Sequence, residues 1–266
     1  MNRRVNIITG PTGSGKSKIA MDRARHNGVI INADSQQTFK HLPTLTASPT
    51  KAEKEAIPHK LYNFLDPTEQ LNADHWARLA ATEIEATLNS GLTPFVVGGT
   101  GFYIKALMEG LSEIPEIPDE IRNRVRAMNH QELEKMAPNL DTQRAMRATE
   151  VLLATGKPIE WWQLQPKQPL LKNVEFSVEI INYPTEELNA RIRTRTGEIL
   201  DQAIKEVADL TTLNLPAEAP IYKVLGVKAI RKHLAGEITR PELLEAVTIS
   251  THQYAKRQRT FFRTQF

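Results

Sequence analysis

"GPTGSGKS", running from Gly10 to Ser17, decides how this chain folds. It satisfies G-x-x-x-x-G-K-[ST] at every fixed position, the P-loop pattern whose ordinary ligand is a nucleoside triphosphate such as ATP. "VNIIT" (Val5–Thr9) before it is a short apolar strand, and "SKIAMDRARHNG" after it has helical spacing that stops at Gly28. Strand, glycine loop and helix in that order make a nucleotide-binding motif with a physical basis. Gly10, Gly13 and Gly15 let backbone N–H groups turn toward phosphate oxygens, and the helix N-terminus adds partial positive charge. Lys16 neutralises the terminal phosphate, and the Ser17 hydroxyl is the expected ligand of Mg²⁺. The diphosphate site predicted here is the whole loop, with Pro11, Thr12 and Ser14 between those residues. The motif specifies a diphosphate and leaves the rest of the ligand open.

Working outward, "VIINAD" (Val29–Asp34) is a second strand with Asp34 at its carboxyl end, and "TPFVVGGTG" (Thr93–Gly101) a third that runs into glycines. Helical patterns follow at about Ala73–Asn89 and in "FYIKALMEGL". Strands alternating with helices predict an α/β fold, a parallel sheet flanked by helices, with ligands at the carboxyl ends of the strands. Asp34 and Gly98–Gly101 then share a crevice with the P-loop. Residues 112–172 contain helical patterns and no strand candidate, and are expected to form a small helical insert. The core comprises residues 1–111 and 173–266. It resumes at "NVEFSVEIINYP" (Asn173–Pro184), with closing helices over about Thr185–Leu210 and from the Thr239/Glu242 capping-box pattern onward.

Composition narrows the function classes. The 266 residues are 40% hydrophobic and 24% charged, as in ordinary globular proteins, and contain no cysteine. Disulfides, cysteine-ligated zinc and thiol nucleophiles are excluded. No apolar run approaches the roughly 20 residues of a membrane helix, and removal of an N-terminal signal would destroy the loop, so a cytoplasmic location is expected. Formal net charge is only +3, yet from Lys223 onward nine Lys and Arg stand against three acids. That excess is either a solvated helix face or a footprint for a nucleic-acid backbone.

The acidic partner of the loop is the informative gap. Enzymes that cleave nucleoside triphosphates carry a strand-end Asp for Mg²⁺. Here "PFVV" ends in Gly98–Gly99 and "NVEFSVEII" in Asn182. Only Asp34, in "NADSQQ", is placed for the task. It is a metal-sphere residue, a general base facing a second substrate, or a structural cap. No Arg-rich lid of the kinase type is present.

"GPTGSGKS", "NADSQQ", "PFVVGGTGFYIKALMEGL", "RAMRATEVLLATGKPI" and "YAKRQRTFFR" occur in an order and spacing similar to those of the tRNA dimethylallyltransferases, over nearly the whole chain. The resemblance implies a nucleotide-kinase-like core in a cytoplasmic monomer. It implies dimethylallyl diphosphate on the P-loop, Mg²⁺ as cofactor, and the anticodon stem-loop of tRNA as partner. Transfer to N6 of the adenosine 3′ to the anticodon, flipped from its stack, is the implied reaction. It assigns Asp34 as base, and Ser17 and Arg195 (with Arg191 one turn earlier) to the diphosphate. It places tRNA contacts at Asp34, Ser35, Gln36, Gln37, Thr100, Arg122, Gln143, Arg144, Ala145, Met146, Arg147, Lys223 and Lys228. Departures from the family pattern fall at Ser48, Val227, His252 and Phe262. Tyr103, Trp161 and Trp162 are aromatic residues of helices, expected in the core and otherwise able to stack on bases. Two rivals stand beside this reading: a prenyltransferase acting on free adenylates, and a P-loop kinase or NTPase.

Overall fold

A computed structural model describes residues 3–266. The chain runs β1 (Arg4–Thr9), α1 (Lys16–Ala24), β2 (Gly28–Asn32), α2 (Lys51–Ala56), β3 (His59–Lys60), α3 (Ala73–Asn89), β4 (Thr93–Gly98) and α4 (Gly101–Glu109). It continues through α5 (Asp119–Arg126), α6 (His130–Met136), α7 (Thr142–Thr155) and α8 (Ile159–Gln163) to β5 (Glu175–Ile180). The remaining helices are α9 (Thr185–Thr211), α10 (Val227–Leu234) and α11 (Arg240–Gln265).

The five strands make one sheet in the order β3-β2-β4-β1-β5, and every pairing is parallel. Such a sheet is covered by its crossover helices, so its central strands are apolar on both faces. All five residues of β2 are buried, and Ile8, Ile30, Phe95 and Val97 pack with Ala20 and Ala24 of α1. A second apolar cluster joins α9, α10 and α11 to Phe39, Leu42 and Leu45, and so anchors the loop after β2. Thr239 and Glu242 form the capping box that opens α11.

Three sequence expectations are corrected. The first helix ends at Ala24, and Gly28 opens β2 instead of closing the helix. A side-chain carbon on Gly28 would lie 2.5 Å from Ala24 Cα, so glycine lets the strand start against the helix end. The segment after Asp34 also contains α2 and the two-residue edge strand β3, which is too short to give a periodic signal. Three helices close the chain where two were expected, because the eight-residue α10 is shorter than the pattern by which helices are recognised.

The chain divides into two compact units, one formed by residues up to Met108 with Leu170–Phe266, the other by Glu109–Pro169. The second is all-helical and has its own core of Val125, Leu133, Ala137 and Ala145. Asp141 caps α7 by accepting from the Arg144 N–H, and Asn129 and Glu132 form a capping box on α6. Among the described residues no helix is long and apolar enough to cross a membrane.

Candidate active site

The Gly10–Ser17 loop links β1 to α1 through backbone conformations that other residues adopt at a cost. Gly13 and Gly15 have φ of +82° and +76°. Gly15 is the N-cap of α1, no side chain caps that end, and the first turn has no acid. The helix N-terminus is thus left with free N–H groups and uncompensated positive charge, the arrangement that suits an anion. Lys16 Nζ donates to Pro11 O at 3.3 Å, within the loop itself. Burial holds the Lys16 ammonium below the usual lysine value; Asp34 opposes that effect and Arg195 adds to it. Ser14 is fully buried and its Oγ has no partner in the protein. Ser17 is exposed on the first turn of α1.

Asp34 lies just beyond β2 and is 7% exposed. Its Oδ1 accepts from the Gln36 N–H at 3.0 Å, so it caps the short 3-10 turn Ser35–Thr38. Its own N–H donates to Asn32 Oδ1 at 2.8 Å, while Asn32 Nδ2 donates to Asp34 O at 3.0 Å. Trp76 Nε1 donates to Asn32 O at 2.9 Å, which fixes the strand end from α3. The capping role and a place in the cavity coexist. Asp34 lines a cavity together with Thr12, Gln36, Arg195 and Tyr254.

Arg195 reaches that cavity from α9 and is half-buried; a surface position on an amphipathic helix does not describe it. Burial works against its charge and Asp34 supports it. One turn earlier, Arg191 stands beside the glycine loop, its Nη2 3.0 Å from where a Gly15 side-chain carbon would sit, with its guanidinium over the Tyr183 ring. Tyr254 enters from α11. Burial and the nearby Asp34 raise its phenol above the usual range, with Thr100 and Ser35 opposing the shift. Thr100 Oγ1 in turn accepts the Ser35 N–H at 2.9 Å. A carboxylate, two cations and a helix N-terminus therefore converge on one crevice. Chemically they can hold a diphosphate at one side and take a proton at the other.

The other predicted contacts are distributed unevenly. Gln36 Oε1 accepts from the Leu225 N–H at 2.8 Å, and Gln37 Nε2 donates to Thr46 O and Ala47 O at 3.0 and 2.7 Å. Both glutamines thus brace loops around the crevice. Glu206, which gives no sequence signal, accepts the N–H groups of Thr44 and Leu45 at 2.7 and 3.0 Å and holds the same loop from α9. Lys223 and Lys228 are exposed at the start of the α10 region. In the helical unit, Gln143, Arg144 and Arg147 are exposed on α7, whereas Ala145 is core and Met146 packs against it. Arg122 donates to Ile117 O at 3.1 Å. Tyr103 is buried and stacks on Trp76, while Trp161 is 41% exposed, against the expectation of a core aromatic. The departures at Val227 and Phe262 are buried packing residues, and His252 Nε2 lies 3.2 Å from Asn189 O.

The parallel sheet, the glycine loop opening onto α1 and the crevice at the strand ends define an α/β protein with a P-loop-like fold and a helical insert. The family model for IPP transferase matches residues 37–265, which leaves the glycine loop and Asp34 outside the matched span. The chain belongs to that family. It is 39% identical to the tRNA dimethylallyltransferase of Zymomonas mobilis, with 98% of this chain and 88% of that protein aligned. It resembles the solved tRNA delta(2)-isopentenylpyrophosphate transferase of Staphylococcus epidermidis at 26% identity and a TM-score of 0.72, covering 99% of this chain and 91% of that one. A eukaryotic dimethylallyltransferase solved acting on tRNA superposes with a TM-score of 0.79 at 25% identity, covering 96% of this chain and 69% of that one.

Proposed function

We propose that this protein transfers a dimethylallyl group from dimethylallyl diphosphate to N6 of the adenosine 3′ to the anticodon of tRNA, releasing diphosphate. The observation that carries the reading is the meeting of Asp34, Arg195 and the loop residue Thr12 in one cavity, in a chain whose relatives are named for this reaction. A phosphoryl-transfer enzyme places a metal-binding Asp at a strand end beside its loop, and this fold has glycines after β4.

In the reaction the adenine N6 lone pair forms a bond to the allylic C1. The C1–O bond breaks, its electron pair leaves on the diphosphate, and the N6 proton passes to Asp34. The free N–H groups of the loop and α1, with Lys16 and Arg195, stabilise the leaving charge where it develops. Ser35, Gln36, Gln37 and Thr100 border the nucleoside side. Arg122, Gln143, Arg144, Arg147, Lys223 and Lys228 supply donors and charge for the RNA backbone, with Ala145 and Met146 holding α7 in its core.

Among the described residues there is no cluster of three or more His, Cys, Asp or Glu that could hold a metal ion. Mg²⁺ needs no such cage, since it commonly keeps its waters and takes one or two protein oxygens beside substrate phosphates. The exposed Ser17 hydroxyl on the first turn of α1 fits an ion carried in on the diphosphate. Bound there, Mg²⁺ supplies charge neutralisation to the leaving group. The enzyme acts as a cytoplasmic monomer.

The test is transfer from labelled dimethylallyl diphosphate to an unmodified tRNA transcript, with free AMP, ADP and ATP as parallel acceptors. Label on the tRNA adenosine and none on the free nucleotides is expected. Preference for a free adenylate, or release of inorganic phosphate from ATP without prenyl transfer, overturns the reading.

A further inference from the structure

Gln258 lies on α11, 5% exposed, and holds two parts of the crevice at once. Its Oε1 accepts the Thr12 N–H at 2.8 Å, and its Nε2 donates to Gly99 O at 2.9 Å. Thr12 belongs to the glycine loop after β1, and Gly99 follows β4. Those strands are paired to their last residues, Thr9 against Gly98. A side chain 246 positions along the chain from Thr12 therefore ties the two loops together.

The chemistry at this point calls for an amide. The acceptor must face an N–H and the donor a carbonyl, which fixes the side-chain orientation and excludes both a carboxylate and a hydrocarbon. A glutamate would set oxygen against the Gly99 carbonyl, and an apolar residue would leave two buried groups unpaired. The seat is also shaped for it. A side-chain carbon on Gly99 would stand 2.1 Å from Gln258 Nε2, so residue 99 is glycine where the amide arrives. One turn earlier on the same helix, Tyr254 lines the cavity that Asp34 enters, so one face of α11 serves both sides of the crevice.

We propose that Gln258 is a positioning residue for prenyl transfer, setting the Thr12 peptide so that the glycine loop is preformed for the diphosphate and held in register with the Gly99–Thr100 turn on the nucleoside side. This rests on the reading of Gly10–Ser17 as the diphosphate site. In P-loop sites the backbone N–H groups serve the phosphates. Here the Thr12 N–H is engaged by the protein, which orders the loop before the ligand arrives and lowers the cost of binding.

The experiment compares wild type with Gln258→Met, which keeps the volume and removes both hydrogen bonds. It measures KM for the prenyl donor, KM for tRNA, the Kd of inorganic diphosphate by calorimetry, and Tm. The donor KM and diphosphate Kd rise about tenfold while the tRNA KM stays within about twofold. Gly99→Ala attacks the same contact from the other side and serves if Gln258→Met does not fold. Combined with Gln258→Ala, it produces less than the sum of the two single losses, since only the 3.2 Å approach to the Gly10 carbonyl then remains. An unchanged donor KM, an equal rise in both KM values, or additive losses in the double variant overturns the proposal. A wild-type protein that neither binds diphosphate nor transfers the prenyl group overturns the diphosphate reading itself, and this proposal with it.

Discussion

The loop at Gly10–Ser17 and the loop from Asp34 to Ser48 leave strands on either side of β4 and end at one crevice, yet they are held by different means. The first is largely a backbone device: glycines with positive φ and a helix N-terminus whose N–H groups are left free. The second is held by side chains. Asn32 fixes Asp34, Thr100 takes the Ser35 N–H, Gln37 holds Thr46 and Ala47, and Glu206 reaches over from α9 to Thr44 and Leu45. A backbone device is stiff and tolerates change only where glycine is kept. A side-chain device depends on partners far along the chain, each of which can be removed singly.

The largest effect tests whether Asp34 does more than cap its turn. Asp34→Asn retains an oxygen for the Gln36 N–H and loses the base, so kcat falls about 10²–10⁴-fold with little change in Tm or in diphosphate affinity. Single-turnover transfer rates check this, and a near-normal rate would leave Asp34 as a cap alone. Next, Lys16→Ala weakens inorganic diphosphate about 10–100-fold by removing a charge-assisted contact, and leaves tRNA affinity unchanged.

The same lysine gives a pH dependence with a definite sign. Burial lowers its pKa below the usual 10.5, so the ammonium is lost at a lower pH than in a free lysine. Diphosphate favours the charged form, and its affinity therefore falls as pH rises through that lowered value, with proton uptake on binding. Calorimetry in buffers of different ionisation heat measures both, and affinity that rises with pH contradicts it.

Smaller effects probe regions outside the two loops. Changing Arg144 and Arg147 together to Ala weakens tRNA severalfold and reduces the salt slope by about 1–2, without touching the donor KM. An unchanged slope removes α7 from the tRNA contacts. Glu206→Gln keeps one acceptor oxygen for two loop N–H groups, costs about 1–2 kcal/mol of stability, and raises tRNA KM a few-fold with the donor KM unchanged. A rise confined to the donor KM would show that the two loops are not independently held.

These differences track what was legible in the amino-acid sequence. The glycine loop, α3 and the Thr239 capping box are written in local patterns, and the structure has them where the patterns put them, whereas the strand expected to run to Asp34 stops at Asn32 and leaves Asp34 as a cap just beyond it. β3 and α10 are too short to carry a pattern. Arg195 was marked by family resemblance, whereas its place in the cavity follows from the packing of α9 against α10 and α11. Nothing about Glu206 in its helix distinguishes it from a solvent-facing polar residue, and Gln258 lies inside the "YAKRQRTFFR" block without a role being assigned to it there. Their burial and paired hydrogen bonds to distant loops make them structural parts of the site.

By itself the sequence determined that this protein has a parallel α/β core with a glycine-rich loop opening onto a helix, because a strand, three glycines and a helix start act through local backbone geometry. The tertiary structure alone decided which side chains stand against the loops around the crevice. α9 and α11 bring Arg195, Glu206, Tyr254 and Gln258 to the crevice from the far end of the chain. Contacts between residues some 150 to 250 positions apart leave no periodic trace. They exist only once the core has closed, when buried polar groups must find partners or remain unpaired.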